Sequence, residues 1–393
     1  MEAFNYYCPT EVLFGRGTEY QVPECIRKYG GRKALIVYGG GSVLRSGLLD
    51  RVCDKLKKEG IAYDLFGGAK ANPVLDHARR GVRLAISAGS DFVLAIGGGS
   101  AIDTAKAVAH GAANPDTDIW QYWSGQASLT KSLPIGVILT ISAAGSETSS
   151  SSVLTNEETG KKRGLNSDFN RPKFAILNPE LTFTLPPYQV ACGVTDIMMH
   201  TLDRYFNPID NELTDAIAEA LLRTVIAKGA VAVGNPHDYD SMSELMWAGS
   251  LSHNGLTGLG GKSDFAVHQF GHELSAMFDT AHGASLSTMW GFWARYVYQT
   301  RPERFARYAR NVWGLDGEDD SALAIAGIEA TVHYFQSLPM PTSFSTNQDI
   351  GVQSDETLRK LARCCSNEHL RTIGSFQVLD EEDIYQVYCS ANI

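Results

Sequence analysis

The sequence predicts two parts: an α/β half on a doubly wound, mostly parallel sheet, then an all-helical half. Three observations predict it. Short apolar, β-branched runs alternate with helix-period segments through the first half. Two of those runs end in glycine-rich turns. Beyond Pro186-Pro187, strand patterns nearly vanish while helical ones continue.

Taken in order, KALIVY (Lys33 to Tyr38) is expected as a buried strand, with the glycines of YGGGS after it. Val43 to Glu59 carries Val43, Leu44, Leu48, Leu49, Val52 and Leu56 at helical spacing. Ala62 to Phe66 reads as a strand, Val74 to Ala88 as a helix and Phe92 to Ile96 as a strand. A helix from Ala101 to about Ala112 and a buried strand from Pro134 to Ile141 follow. After the diproline, Asp215 to Lys228, Asp240 to Leu251 and Glu303 to Val312 are helical in period and length. A boundary near residue 187 results, giving domains 1–187 and 188–393. A chain of 393 residues is comfortable for two cores.

Composition narrows the function classes. Thirty-four basic against 44 acidic residues give a net charge of −10, with no basic block. That argues against a nucleic-acid or anionic-membrane surface. The longest apolar run, Pro134 to Ile141, is strand-sized, well short of the roughly 20 residues of a membrane span. The start, MEAFNYYCPTEVLFG, lacks the basic and apolar regions of a secretory signal. Seven scattered cysteines without a CxxC fit free thiols in a reducing cytoplasm.

The glycine turns come next. In IGGGSAIDTAKA (Ile96 to Ala107), a strand runs into Gly97, Gly98, Gly99 and Ser100 and then a helix. Such a turn lets a phosphate approach exposed backbone N–H groups. It matches neither GxGxxG nor a Walker sequence, so a plain tight turn stands beside phosphate binding. The turn Gly39, Gly40, Gly41 and Ser42 offers no acid for a ribose 2′-hydroxyl and nothing to repel a 2′-phosphate. A flexible loop is the competing reading.

The most chemical segments are rich in histidine. GVTDIMMHTLDRYF (Gly193 to Phe206) puts Asp196 and His200 at i and i+4, on one face of an expected helix with apolar flanks. HQFGHELSAMFDTAHG (His268 to Gly283) adds His268, His272 and His282. It is not a zinc-protease HExxH, because Gln269 follows His268 and Ala276 stands four residues after His272. One carboxylate and four histidines are more than a catalytic metal needs, since such a site keeps an open position. One histidine is more useful outside the shell, moving a proton. The donor set suits Fe(II) or Zn(II). His77, His110, His237, His253, His333 and His369 are each isolated and read as structural or solvated.

Together, GVTD-x3-H, HQFGHELSAMFDTAHG, GGGSAIDTAK, ILTISAAGSE and NPELTFTLPP resemble the signatures of the iron-containing (group III) alcohol dehydrogenases. Within that family the chain is most similar to the NADPH-dependent butanol dehydrogenase and aldehyde reductase branch, because YGGGS stands where NAD-preferring members carry an acid. The resemblance implies a dinucleotide-binding domain followed by a helical metal-binding domain, in the architecture of dehydroquinate synthase. It implies metal ligation by Asp196, His200, His268 and His282, with His272 beside the metal as the catalytic proton relay. It implies a cofactor held by the two glycine turns, Thr140 and Lys162, with NADP(H) preferred over NAD(H). Fe2+ is the implied metal, with Zn2+ as an alternative, and a small alcohol or aldehyde is the implied substrate. A homodimer through the N-terminal segment FNYYCPTEVLFG is also implied. The sequence departs from the family at ISAAGSETSSS and at Lys70-Ala71-Asn72-Pro73, which touches fine specificity rather than reaction class. The rival readings are a dehydroquinate synthase-like or glycerol dehydrogenase-like enzyme, and a non-catalytic metal- or nucleotide-binding protein.

Overall fold

The computed structural model describes all residues, Met1–Ile393. They form two compact units, one of Tyr7–Leu185 and one of Pro186–Ile393 together with Met1–Tyr6.

The first unit runs β1 (Glu11–Phe14), α1 (Val22–Lys28), β2 (Lys33–Tyr38), α2 (Gly41–Arg45), α3 (Leu48–Lys58) and β3 (Ala62–Phe66). It continues through α4 (Leu75–Ala88), β4 (Phe92–Gly97), α5 (Gly99–Ala113), α6 (Trp120–Trp123) and β5 (Ile135–Leu139). A hairpin of β6 (Ser151–Asn156) and β7 (Lys161–Asn166) precedes β8 (Phe174–Leu177). Six strands make one parallel sheet in the order β1-β8-β5-β4-β2-β3. Ala34 to Val37 in β2 and every residue of β4 and β5 are buried. That is the pattern of a sheet covered on both faces. Ile36, Leu94, Ile96 and Ile138 pack in one core with Val52 and Leu56 of α3.

The strand order reverses between β2 and β4. From β2 the chain steps outward to β3, then crosses back to place β4 on the other side of β2. The carboxyl ends of β2 and β4 are therefore neighbours, with Tyr38 opposite Ile96, and both glycine turns leave from there. In open parallel sheets this switch point is where ligands bind.

Two expectations change here. The single helix read from Val43 to Glu59 is two, because Gly47 takes a left-handed conformation (φ 67°) between α2 and α3. The β6–β7 hairpin was not read as strands: KKRGLN has no apolar alternation, and its ladder rests mainly on backbone hydrogen bonds.

The second unit is helical. It contains α7 (Pro187–Tyr205), α8 (Glu212–Gly234), α9 (Tyr239–His253), α10 (Ala266–Phe278) and α11 (His282–Val297). Then come α12 (Pro302–Trp313), α13 (Asp320–Ser337), α14 (Asp355–Cys365) and α15 (Glu381–Ala391). Pro187 occupies the first turn of α7, where its missing N–H costs no hydrogen bond. From Val190 to Tyr205 every residue of α7 is buried, so it is the central helix, packed by α8, α9, α10 and α11. A buried bidentate pair joins α12 to α8: Arg304 Nη1 and Nη2 donate to the two oxygens of Asp215 at 2.5 and 2.6 Å.

Candidate metal centre

The centre is built on α7. Asp196 and His200 lie one turn apart on it, each only 4% exposed. His268, in the first turns of α10, is 3% exposed, and His282 is the first residue of α11. The Nε2 atoms of His200, His268 and His282 lie 3.3, 3.8 and 3.8 Å from the same atom, Asp196 Oδ1. Asp196, His268 and His282 have donor atoms all within 4.8 Å of one another, a group that does not include His200.

These separations fit an ion. Tetrahedral donors at about 2.0–2.1 Å from a metal stand about 3.4 Å from each other. Asp196 Oδ1 and His268 Nε2 are also buried without a hydrogen-bond partner. Orphaned polar atoms are rare in a native interior, and a cation between them satisfies both. Burial drives the pKa of His200 far down, helped by the neighbouring His253 and His268, so it stands as a neutral donor. Burial also works against a charge on His268, but Asp203 and Asp196 outweigh it and raise its pKa to about 8.

Close helix packing brings His282 into the group. A Cβ on Gly283 would fall 2.7 Å from Cys192 Cα and 2.8 Å from its carbonyl carbon, so only glycine lets the start of α11 rest on the α7 backbone. Two non-glycine residues in left-handed conformations, Phe265 (φ 58°) and Asp279 (φ 53°), bound α10 at its two ends. Strain of this kind collects at functional sites. Arg204 is committed elsewhere: it donates to the His200 carbonyl at 2.6 Å, and its guanidinium lies 4.8 Å from the Phe265 ring centre.

His272 borders this group, its ring 5.6 Å from that of His282 and 6.3 Å from that of His268. His253, read from sequence as isolated, is not: its ring packs 3.9 Å from that of His200. Those two residues are 53 positions apart on different helices, and no local pattern links them.

In the first unit, Gly99 and Ser100 are the first residues of α5, so their N–H groups have no partner within the helix. Gly98 has a packing reason as well, because a Cβ there would collide with Ile141. Thr140 N donates to the Gly97 carbonyl at 3.1 Å, which joins the β5 end to that turn. Lys162 Nζ instead meets Asn72 Oδ1 at 2.9 Å. At the turn from Gly39 to Ser42, a Cβ on Gly41 would collide with Arg45 Nη1 and lie 3.3 Å from Cζ, so the guanidinium rests on the turn itself. Sequence reading did not single out Arg45. It also passed over a buried cluster in which Lys106 Nζ donates to Ser146 O, Ser146 Oγ and Ser151 O, and Asp103 accepts from Ser146 Oγ and Val153 N. Of the aromatic segment from Trp120 to Gly125, Tyr122 and Trp123 are core residues, and Trp123 Nε1 donates to Ser152 O at 3.0 Å.

Comparison with known proteins bears on both units. Residues 9–179 match the family described as iron-containing alcohol dehydrogenase. Residues 190–392 match the C-terminal part of the Fe-containing alcohol dehydrogenase family. The chain is 40% identical to NADH-dependent butanol dehydrogenase A of Clostridium acetobutylicum, over 99% of both chains. It is 37% identical to the NADPH-dependent aldehyde reductase YqhD of Escherichia coli, over 92% of this chain and 93% of that one. The crystal structure of NADH-dependent butanol dehydrogenase A from Thermotoga maritima superposes with a TM-score of 0.96 at 35% identity, covering 100% of this chain and 99% of that one.

Proposed function

Because the chain belongs to the iron-containing alcohol dehydrogenase family, we propose that it moves a hydride between NADP(H) and a small primary alcohol or its aldehyde, of the size of butanol and butyraldehyde. The observation that carries this reading is the single Asp196 oxygen faced by three imidazole nitrogens. Asp196, His200, His268 and His282 are the metal ligands on this reading, with Fe2+ resident and Zn2+ accepted by the same donors. When bound, the metal supplies Lewis acidity toward the substrate oxygen, and the nicotinamide supplies or receives the hydride.

The remaining work falls to the chain. Burial of Asp196, His200 and His268 keeps water from three of the donors, while the His282 side chain, 28% exposed, marks the side left for substrate. His272, beside His282, takes up or returns the substrate proton at its imidazole. Gly97, Gly98, Gly99 and Ser100 hold the pyrophosphate, and Thr140 and Lys162 take part in binding the cofactor.

The names of the relatives divide between NADH and NADPH. What favours NADPH here is the turn Gly39, Gly40, Gly41 and Ser42, which carries no acid and has the Arg45 guanidinium against it. The commitment of Arg204 to the His200 carbonyl speaks against a cyclase, which would need free cations near the metal for a phosphorylated substrate. The edge position of β1, with Phe14 exposed, supports a homodimer formed along that strand. Seven cysteines outside any disulfide support a reducing cytoplasm, and no helix is long and apolar enough to cross a membrane.

One assay tests the core of this reading. The protein reconstituted with Fe2+ or Zn2+ is mixed with NADPH and butyraldehyde, and the nicotinamide absorbance is followed. Turnover that disappears with a chelator and returns with metal is expected; no turnover with either metal overturns the reading. Equal or better kcat/KM with NADH overturns the NADPH preference alone.

A further inference from the structure

We propose that Asp203 is a positioning residue that fixes the ring and tautomer of His268, so that the Nε2 lone pair faces the metal site. The inference rests on the metal reading above and assigns a role to a carboxylate outside the four donors.

Three residues of α7 share a face at i, i+4 and i+7: Asp196, His200 and Asp203. The first two point at the centre. The third reaches behind His268, where Asp203 Oδ2 lies 2.5 Å from Nδ1, on the opposite edge of the ring from Nε2. Asp203 is 0% exposed and His268 3%. An ionised carboxylate can only accept, so the hydrogen of this bond sits on His268 Nδ1. A neutral imidazole carrying its hydrogen on Nδ1 has a bare lone pair on Nε2. That is the atom left without a hydrogen-bond partner, 3.8 Å from Asp196 Oδ1.

The same residue also orients the backbone beneath His268. The Asp203 carbonyl accepts from Asp264 N at 2.7 Å. Asp264 Oδ1 in turn accepts from Ala266 N at 2.9 Å, at the first turn of α10. Its Oδ2 accepts from Ser375 N and Phe376 N at 2.6 and 2.8 Å. The main chain of Asp203 thus sets where α10 begins, and its side chain sets how the histidine of that helix is turned. A backbone contact survives any substitution, so the side-chain function can be tested separately.

Metal-stripped parent, Asp203→Asn, Asp203→Ala and Asp203→Glu are titrated with Zn2+ against a chromophoric chelator, with circular dichroism of each stripped protein as the fold control. Expected is a loss of Zn2+ affinity of about 10- to 100-fold in the Asn and Ala variants, with partial recovery in Glu. Co2+ loaded in place of Zn2+ is expected to show an altered visible spectrum in the Asn variant, which a purely structural role of Asp203 would not produce. Folded Asn and Ala variants that bind Zn2+ within about twofold of the parent overturn the proposal. A parent that binds no Zn2+ overturns both this proposal and the metal reading; an unchanged variant beside a binding parent overturns this one alone. If the variants do not fold, side-chain 15N spectra of the stripped parent at about pH 9.5 decide. The His268 hydrogen on Nδ1 supports the proposal, and on Nε2 it ends it.

Discussion

Gly283→Ala tests how the centre is assembled without touching any donor atom. The added Cβ would lie 2.7 Å from Cys192 Cα and 2.8 Å from its carbonyl carbon, and both are helix backbone that cannot swing aside. Carbon–carbon contact needs about 3.7 Å, so the first turn of α11 must retreat by about 1 Å. His282 is the adjacent residue, and its Nε2 stands 3.8 Å from Asp196 Oδ1. Preorganised sites tolerate about 0.5 Å of displacement, so on the proposed metal reading a 1 Å retreat removes most of what His282 would contribute. Zn2+ affinity is expected to fall by at least about tenfold, while overpacking lowers stability by about 1–3 kcal/mol. The assay is a chelator-competition titration of the stripped protein beside thermal melts with and without Zn2+. The thermal shift on adding metal should shrink more than the Tm of the stripped protein drops. A variant with parental Zn2+ affinity and a parental shift would show that Gly283 does not set the position of His282.

Three further outcomes are expected. His272→Asn keeps its metal content but loses about 100- to 10,000-fold in kcat and flattens the pH profile; full activity across pH removes the proton role, and lost metal makes His272 a ligand. Arg45→Ala raises the KM for NADPH about tenfold and leaves that for NADH nearly unchanged; equal changes for both cofactors would take Arg45 away from the 2′-phosphate. Part of the acid sensitivity should come from His110, which burial holds near pKa 4 between Ser132 Oγ and Asn170 Oδ1. The unfolded chain binds this proton from pH 6.5 downward and the folded one only near 4, so stability falls with pH across that window. The loss is about 2 kcal/mol between pH 7.5 and 5. His110→Gln should cut the parental drop in urea-unfolding stability over that range by about this amount, and an unchanged drop refutes the assignment.

What the sequence made legible follows the range of each interaction. Asp196 and His200 were readable as a pair because one helical turn brings them together. The parallel sheet was readable because β2, β4 and β5 are continuous apolar runs. Asp203 was not, since its partner sits on another helix 65 residues later. His253 against His200 and Gly283 against Cys192 were hidden for the same reason: each is a contact between helices, and neither leaves a local pattern. The split between α2 and α3 was missed because the apolar spacing continues in phase across the break, although Gly47 was there to be read.

The packing of Met1–Tyr6 with the later unit has a consequence for how the protein is made. Glu2 N donates to the carbonyl of Gly260, so during synthesis this segment waits for a partner about 250 residues downstream. At roughly 5–20 residues per second, that delay is about 13 to 50 s. Meanwhile Tyr7–Leu185, a compact unit, has time to fold with Met1–Tyr6 still unplaced. A bulky group joined to Met1–Tyr6 therefore burdens assembly of the later unit rather than that of the unit beside it in sequence.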